Sequence, residues 1–448
     1  MTASARRDGI TLLSLGSVLF LLASLAMAMT PSAAFVDFKA VYFASRCLMQ
    51  GVNPYDEHEF LRVYREEGGD RTEDDAKQRS VVTTYINLPT GLIVIAPFAL
   101  LPWNIARVVW VAVLALGLVT ASYVIWWHTA HNAPLISATL LCMFLLTSIM
   151  LVDVGNTAGL VVAMIAISAC LLLSNRFVWV GLVCLAIGLL IKPHDAGLIW
   201  LYFLLSTPLN RKRAWYVLLL TILFGLPGVL WMSRVAPHWP SEIHRNLTAT
   251  TAQGDINDPG PQSSSAYSAD FIVDMQTEFS VLWDEPGFYN LASIFLIAPF
   301  VIAWIVLVVR ARDNLEGAWI ALASISALTL LPVYHRQDDA RMLLLCIPAC
   351  ALLWSRRGIL GKCALTLTTL AIFINGDIPT AIREHMIRPV LASTTGNLNK
   401  IVVIVLDRPI PLLLLGTGIL YLAAYLRWSR QPHTAEETEA NVGLQERS

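Results

Sequence analysis

Charge is scarce in this chain. Asp, Glu, Lys and Arg together make up 14 % of its 448 residues, against about a quarter in soluble domains. That excludes a protein whose whole surface faces water. The net charge of −1 removes any electrostatic case for nucleic acid, which needs a basic face. Cysteine supplies no framework either. Cys142, Cys170, Cys184, Cys346, Cys350 and Cys363 lie in apolar runs, and only Cys47 falls in a loop segment. An odd count placed this way argues against disulfide scaffolding. No CxxC pair or Cys/His cluster suggests a metal, and Asp338-Asp339 lacks the spacing of a DxD motif. No internal repeat of about 20–50 residues is visible.

Apolar residues are abundant instead, at 56 %. They come in long blocks separated by short charged stretches, the pattern of helices that cross a bilayer at ~20 residues each. The blocks are roughly 10–30, 105–127, 135–152, 156–173, 177–191, 194–207, 214–232, 289–309, 315–333, 340–354, 361–374 and 409–427. They predict an all-α polytopic membrane protein of about twelve transmembrane helices. Residues 1–430 form a single transmembrane domain, and the polar tail 431–448 is expected to be disordered. Arg6 and Arg7 precede the first block as in a signal peptide, but the block is long enough to span and reads as a retained helix. A further block, 86–101, is bounded by Pro89 and Pro102 and interrupted by Gly91 and Pro97. It reads as a re-entrant hairpin buried against protein. The alternative is that 177–191 and 194–207 are not two full crossings.

Basic residues set the expected orientation. Arg6/Arg7, Arg211-Lys212-Arg213, Arg310/Arg312, Arg356/Arg357/Lys362 and Arg427/Arg430 are compact clusters. With twelve crossings all of them, and both termini, fall on the cytoplasmic side. Segments 31–85, 233–288 and 375–408 then face outward. The first carries ten acidic and seven basic residues, which fits that side.

The stretch 36–50 reads as a helix. Phe35, Phe38, Tyr42 and Ser45 share one face, and Gly51 with Asn53-Pro54 stops it. A second amphipathic stretch sets Phe60, Leu61 and Tyr64 on one side, as in helices lying along a membrane surface. Asp37 stands at the start of the first helix. As an N-cap it would satisfy free backbone N–H groups. As a carboxylate at the membrane boundary it would also suit a general base. The local residues leave both readings open.

The string Asp37-Phe38-x-x-x-Tyr42-x-Ala44-x-x-x-Leu48-x-x-Gly51-x-Asn53-Pro54-Tyr55-Asp56 resembles the first-loop motif of glycosyltransferase family 87, membrane enzymes of the GT-C type. Leu88-Pro89 through Ala96-Pro97-Phe98-Ala99-Leu100-Leu101-Pro102, then Trp110, resembles that family's proline-flanked second block. Gly155-Asn156-Thr157 and Gly181 to Lys192-Pro193 resemble its later stretch. The likeness covers roughly residues 10–210, and the C-terminal half by topology alone. Asn156-Thr157 and Tyr42-Phe43 depart from the usual residues, which bears on the sugar more than on the reaction.

The resemblance implies a GT-C-like bundle with outer-face amphipathic helices in a bacterial inner membrane, its active site toward the outer face. It implies transfer of a hexose, mannose above all, from a polyprenyl-phosphate donor to a lipid-linked or cell-envelope glycan, with inversion. Asp37 takes the role of base. Lys192, a charge within an apolar stretch, is expected at the donor phosphate. His335, Arg336 and Arg341, from the compact loop 334–341, are expected there too. Tyr42, Asn53, Tyr55 and Asn156 are expected sugar contacts. No cofactor and no metal is expected, since a monophosphate leaving group requires no bridging ion. Blander readings stand beside these: a Lys192–Asp195 pair at a helix end, a solvated 334–341 hairpin, an ordinary Asn53-Pro54 turn, and Asp270 with Asp274 on a solvated helix face. An arabinofuranosyltransferase or glycan polymerase would look alike. A transporter or flippase would more usually show matched broken helices in two halves.

Overall fold

The computed structural model describes residues 3–30, 35–69, 81–261, 271–311, 314–387 and 396–431. Asp270 and the tail from 432 onward lie outside the described residues. Within them the protein is helical throughout, and the only β-type pairing is an isolated antiparallel bridge between Ile272 and Arg336. Six helices are long and apolar enough to cross a membrane: Ala3–Met29, Trp103–Thr129, Pro134–Val154, Pro208–Val235, Pro286–Arg310 and Pro409–Ser429. A bent pair, Ile359–Ile374 with Ile378–Ile387, brings the number up to seven. The expected dozen crossings would therefore have to draw on shorter apolar helices such as Ala158–Leu173, Val178–Ile191 and Leu315–Leu328. The chain is thus an all-α membrane protein.

Burial divides these helices into two kinds. Ala158–Leu173 and Leu315–Leu328 are apolar on every side and almost wholly buried, as a helix must be at the centre of a bundle. Pro208–Val235 and Pro286–Arg310 instead expose Leu219, Leu223, Leu230, Phe295 and Ile302, which suits a lipid-facing ring. Ala3–Met29 packs on Pro134–Leu146 through a stripe of small residues. A Cβ on Gly16 would stand 2.6 Å from the Cys142 Sγ, so glycine is what lets the two helices approach.

Block 86–101 forms the 11-residue helix Pro89–Ala99, about 16 Å long at 1.5 Å per residue. That is too short for one full crossing. Thr90 Oγ1 donates to the Leu190 carbonyl at 2.7 Å, and this helix packs on Pro208–Val235 and Val36–Met49.

The helix expected over 36–50 runs Val36–Met49, and its expected face of Phe35, Phe38, Tyr42 and Ser45 is buried. Phe38 stacks on Trp110 with centroids 4.9 Å apart and meets Phe98 and Trp103. Gly51 adopts φ 70° just past the end, the left-handed geometry glycine takes readily. The second amphipathic stretch is the helix Glu57–Glu66, capped by Asp56 and burying Phe60, Val63 and Tyr64. Arg46 grips Glu67 through both carboxylate oxygens at 2.6 and 2.7 Å, tying the two helices together.

Candidate active site

Breaks in helical backbone deliver the polar side chains into one cluster. The N-cap of Val36–Met49 is Phe35, in left-handed conformation. Asp37 is therefore not the cap, and its carboxylate lies in the first turn with an oxygen directed elsewhere. That oxygen accepts from Asn156 Nδ2 at 2.7 Å. Asn156 follows Gly155, a left-handed residue between the helices Ile149–Val154 and Ala158–Leu173. Its own Oδ1 accepts from the Ala158 N–H at 2.8 Å, which fixes which end of the amide faces Asp37. The same Nδ2 donates to Asp338 Oδ2 at 3.1 Å. One amide thus joins two carboxylates.

Lys192 occupies a second break, between Val178–Ile191 and Pro193–Leu205. Its ammonium contacts Asp339 Oδ1 at 2.5 Å. The partner is Asp339, not the sequence neighbour Asp195. Both side chains are largely buried, 13 % and 5 % exposed. Non-helical backbone at such depth is tolerated where it is enclosed by protein or lines a polar cavity. The charge of Lys192 reaches Asp37 here, each residue sitting where a helix begins or ends.

The loop 334–341 is not a solvated hairpin. His335, Gln337, Asp339 and Arg341 are buried. Its backbone pairs with the segment after residue 270: the Val273 N–H donates to the His335 carbonyl at 3.0 Å, and the Gln337 N–H to the Phe271 carbonyl at 2.7 Å. Asp274 is likewise buried, not on a solvated face. It caps Met275–Leu282 and accepts the His335 N–H at 3.2 Å. Arg336 donates to the Tyr334 hydroxyl at 2.5 Å and to Asn257 Oδ1 at 3.0 Å. Arg341 points another way, donating to the Asn375 carbonyl at 3.1 Å and to Thr147 Oγ1 at 3.3 Å. It ties the loop to its scaffold.

The expected sugar contacts separate. Asn156 is in the cluster. The Tyr42 hydroxyl donates to the Leu101 carbonyl at 2.8 Å, and the Tyr55 hydroxyl to the Asn87 carbonyl at 2.7 Å. Both rings are buried. Asn53 accepts from the Tyr55 N–H at 3.0 Å and donates to Glu242 at 2.9 Å, the Asx turn its position before proline favours. These three side chains brace the segment and make their polar contacts outside the carboxylate cluster.

Electrostatics separates the two carboxylates on Asn156. Burial raises Asp37 above the usual carboxylate range, opposed by the charges of Arg336 and Lys192 and by the Asn156 hydrogen bond. Asp338 is pushed up to about 7, by burial first and then by the charge of Asp37. Two carboxylates whose environments differ this way can hold a base and a proton side by side. Asp338 and Asp339 carry no expected role in the sequence. Their signal was two acidic residues in a short charged turn between apolar runs, which reads equally well as solvated surface.

Beside this cluster His194, Asp195 and His335 gather, their donor atoms all within 4.8 Å of one another. Among the described residues this is the group whose side chains could share a metal ion.

No curated protein and no solved structure matches the chain. The family model for glycosyltransferase family 87 matches residues 85–333, a span that holds Asn156, Lys192, His194, Asp195 and Asp274, with Asp37 before it and His335 to Asp339 just after. That match covers more than half of the chain, and this membrane protein therefore belongs to glycosyltransferase family 87 and is a transferase.

Proposed function

We propose that this glycosyltransferase moves a hexose, most simply mannose, from a polyprenyl-phosphate donor to a lipid-linked or cell-envelope glycan, with inversion at the anomeric carbon. The acceptor hydroxyl attacks that carbon, its proton passes to Asp37, and the lipid phosphate leaves with the bonding electrons. One displacement needs one base and positive charge at the leaving group. The observation that carries this reading is the placement of Asp37. It shares Asn156 with Asp338 and lies within the fields of Arg336 and Lys192. A base and two cations thus converge where three distant segments meet. Lys192, Arg336 and His335 surround the donor phosphate. The sugar identity follows the family resemblance, as do the outward-facing site and the bacterial inner membrane with both termini cytoplasmic.

The test is a panel of radiolabelled polyprenyl-phosphate sugars, with protein in lipid and envelope glycolipid extract as acceptor. Release of polyprenyl phosphate from one donor, lost in Asp37→Asn, supports the reading and names the sugar. Substantial turnover by a well-folded Asp37→Asn sinks the assignment of the base. Movement of lipid without glycosidic product would point to a transporter.

A further inference from the structure

His335 is held by two anchors before its Nε2 is considered. Its backbone N–H donates to Asp274, and its Nδ1 lies 2.8 Å from the Val333 carbonyl. A carbonyl only accepts, so Nδ1 carries a hydrogen, and in the neutral ring Nε2 presents a lone pair. Nε2 faces Asp195 Oδ1 at 3.3 Å. Both groups are essentially out of reach of water. The contact is close in distance but lacks hydrogen-bond alignment: neither His335 Nε2 nor either oxygen of Asp195 has a hydrogen-bond partner. A buried carboxylate with both oxygens unpartnered is costly unless a cation accompanies it. Lys192 gives its direct ion pair to Asp339. His194 brings a third donor, its Nε2 3.7 Å from the same Asp195 oxygen.

From this geometry we infer that His194, Asp195 and His335 bind a divalent transition-metal ion, Zn²⁺ fitting best. Donors about 2.1 Å from a tetrahedral ion stand about 3.4 Å apart. The two separations from Asp195 Oδ1, 3.3 and 3.7 Å, are already of that size, and all three donors lie within 4.8 Å of one another. Two imidazoles and a carboxylate match the three-ligand sets that leave zinc one open position, whereas Mg²⁺ and Ca²⁺ take oxygen ligands. The His335 Nδ1–H on a backbone carbonyl is the outer contact that orients a metal-bound imidazole. His194 is half exposed, so the open position lies on its side. Resting on the reading above, an oxygen of the donor's phosphate takes that position and the ion draws charge from the leaving group.

The test uses the full-length protein in detergent, stripped with EDTA and dialysed against ⁶⁵Zn²⁺ alone. One zinc per chain is expected. Asp195→Asn and His335→Gln should weaken binding at least tenfold. His194→Ala, at an exposed position, should weaken it while leaving the melting temperature of the stripped protein unchanged. Asp37→Asn should keep the zinc while losing transfer. No stoichiometric zinc, or zinc retained by Asp195→Asn, overturns the site and leaves His335 and Asp195 as a plain ion pair. Transfer at full rate in excess chelator overturns the ion's role in the reaction and leaves the base assignment intact. An active Asp37→Asn that still holds zinc does the reverse.

Discussion

The side-chain amide of Asn156 donates to Asp37 at 2.7 Å across 119 positions of sequence. Its opposite end is pinned by the Ala158 N–H, so the amide cannot flip without losing a bond. Asn156→Ala removes the donor that Asp37 and Asp338 share. A buried acceptor left without its partner costs about 1–3 kcal/mol, so the melting temperature should fall. The turnover number should fall at least tenfold, because the base loses its orientation as well as a hydrogen bond. Full turnover at the wild-type rate would show that Asn156 has no part in placing the base.

The shared amide also predicts a pH dependence. Asp37 and Asp338 titrate as a pair, and the second ionisation, on Asp338, lies at about 7. Below that pH the pair holds one charge and one proton. Above it both are ionised where an anionic donor must bind. The donor KM should therefore rise as pH passes through about 7, and Asp338→Asn should abolish the rise. Stability follows the same group. Its pKa is raised in the folded protein from 3.8, so its contribution is fully present below 3.8 and lost as pH rises through about 7. Thermal melts at pH 5 and 8 should differ less in Asp338→Asn than in wild type.

Local periodicity made the first loop legible. The face of Phe35, Phe38, Tyr42 and Ser45 is set within one helix, and it is buried as expected. The partners of Asp37 were not legible, because Asn156 and Asp338 reach the site from 119 and, between themselves, 182 positions away. The loop 334–341 was open to two readings for a related reason. Its charges suited either a phosphate site or a solvated hairpin, and the pairing with residues 271–275 that buries it is not visible locally. Tyr55 reads as a sugar platform beside a turn, but the Asn87 carbonyl holds its hydroxyl. Hydropathy marked where apolar blocks lie, while several blocks formed helices too short to count as crossings by length alone.

Lys192 and Asp339 form the tightest ion pair in the cluster, at 2.5 Å. Removing one partner of a buried pair strands the other charge and costs about 3–5 kcal/mol. Lys192→Met should therefore unfold at markedly lower temperature. Adding Asp339→Asn to it should restore much of the loss, since no charge is then stranded. Donor binding should stay weak in the double variant, because the cation for the phosphate is still missing. Recovery of donor affinity together with stability would reduce Lys192 to a structural role.

Gly155 is the hinge on which the first loop meets the bundle. Its φ of 68° favours glycine, and a Cβ there would stand 2.8 Å from the Phe38 Cβ. Its carbonyl accepts from Trp110 Nε1 at 2.9 Å, and two residues earlier the Asp153 carbonyl accepts the Phe35 N–H at 3.2 Å. Gly155→Ala therefore pays about 1 kcal/mol in backbone strain and also pushes on Phe38, the residue next to Asp37. The rigid atoms on both sides offer no cheap retreat. Turnover per folded molecule should drop at least tenfold, because a base displaced by about 1 Å loses roughly that much or more. Tyr55→Phe is the comparison. It forfeits one hydrogen bond, worth about 1 kcal/mol, at a brace whose polar contacts lie outside the cluster. Its melting temperature should fall while turnover per folded molecule holds. If both variants lost stability alone, the Gly155 turn would be a packing device and not a support for the base.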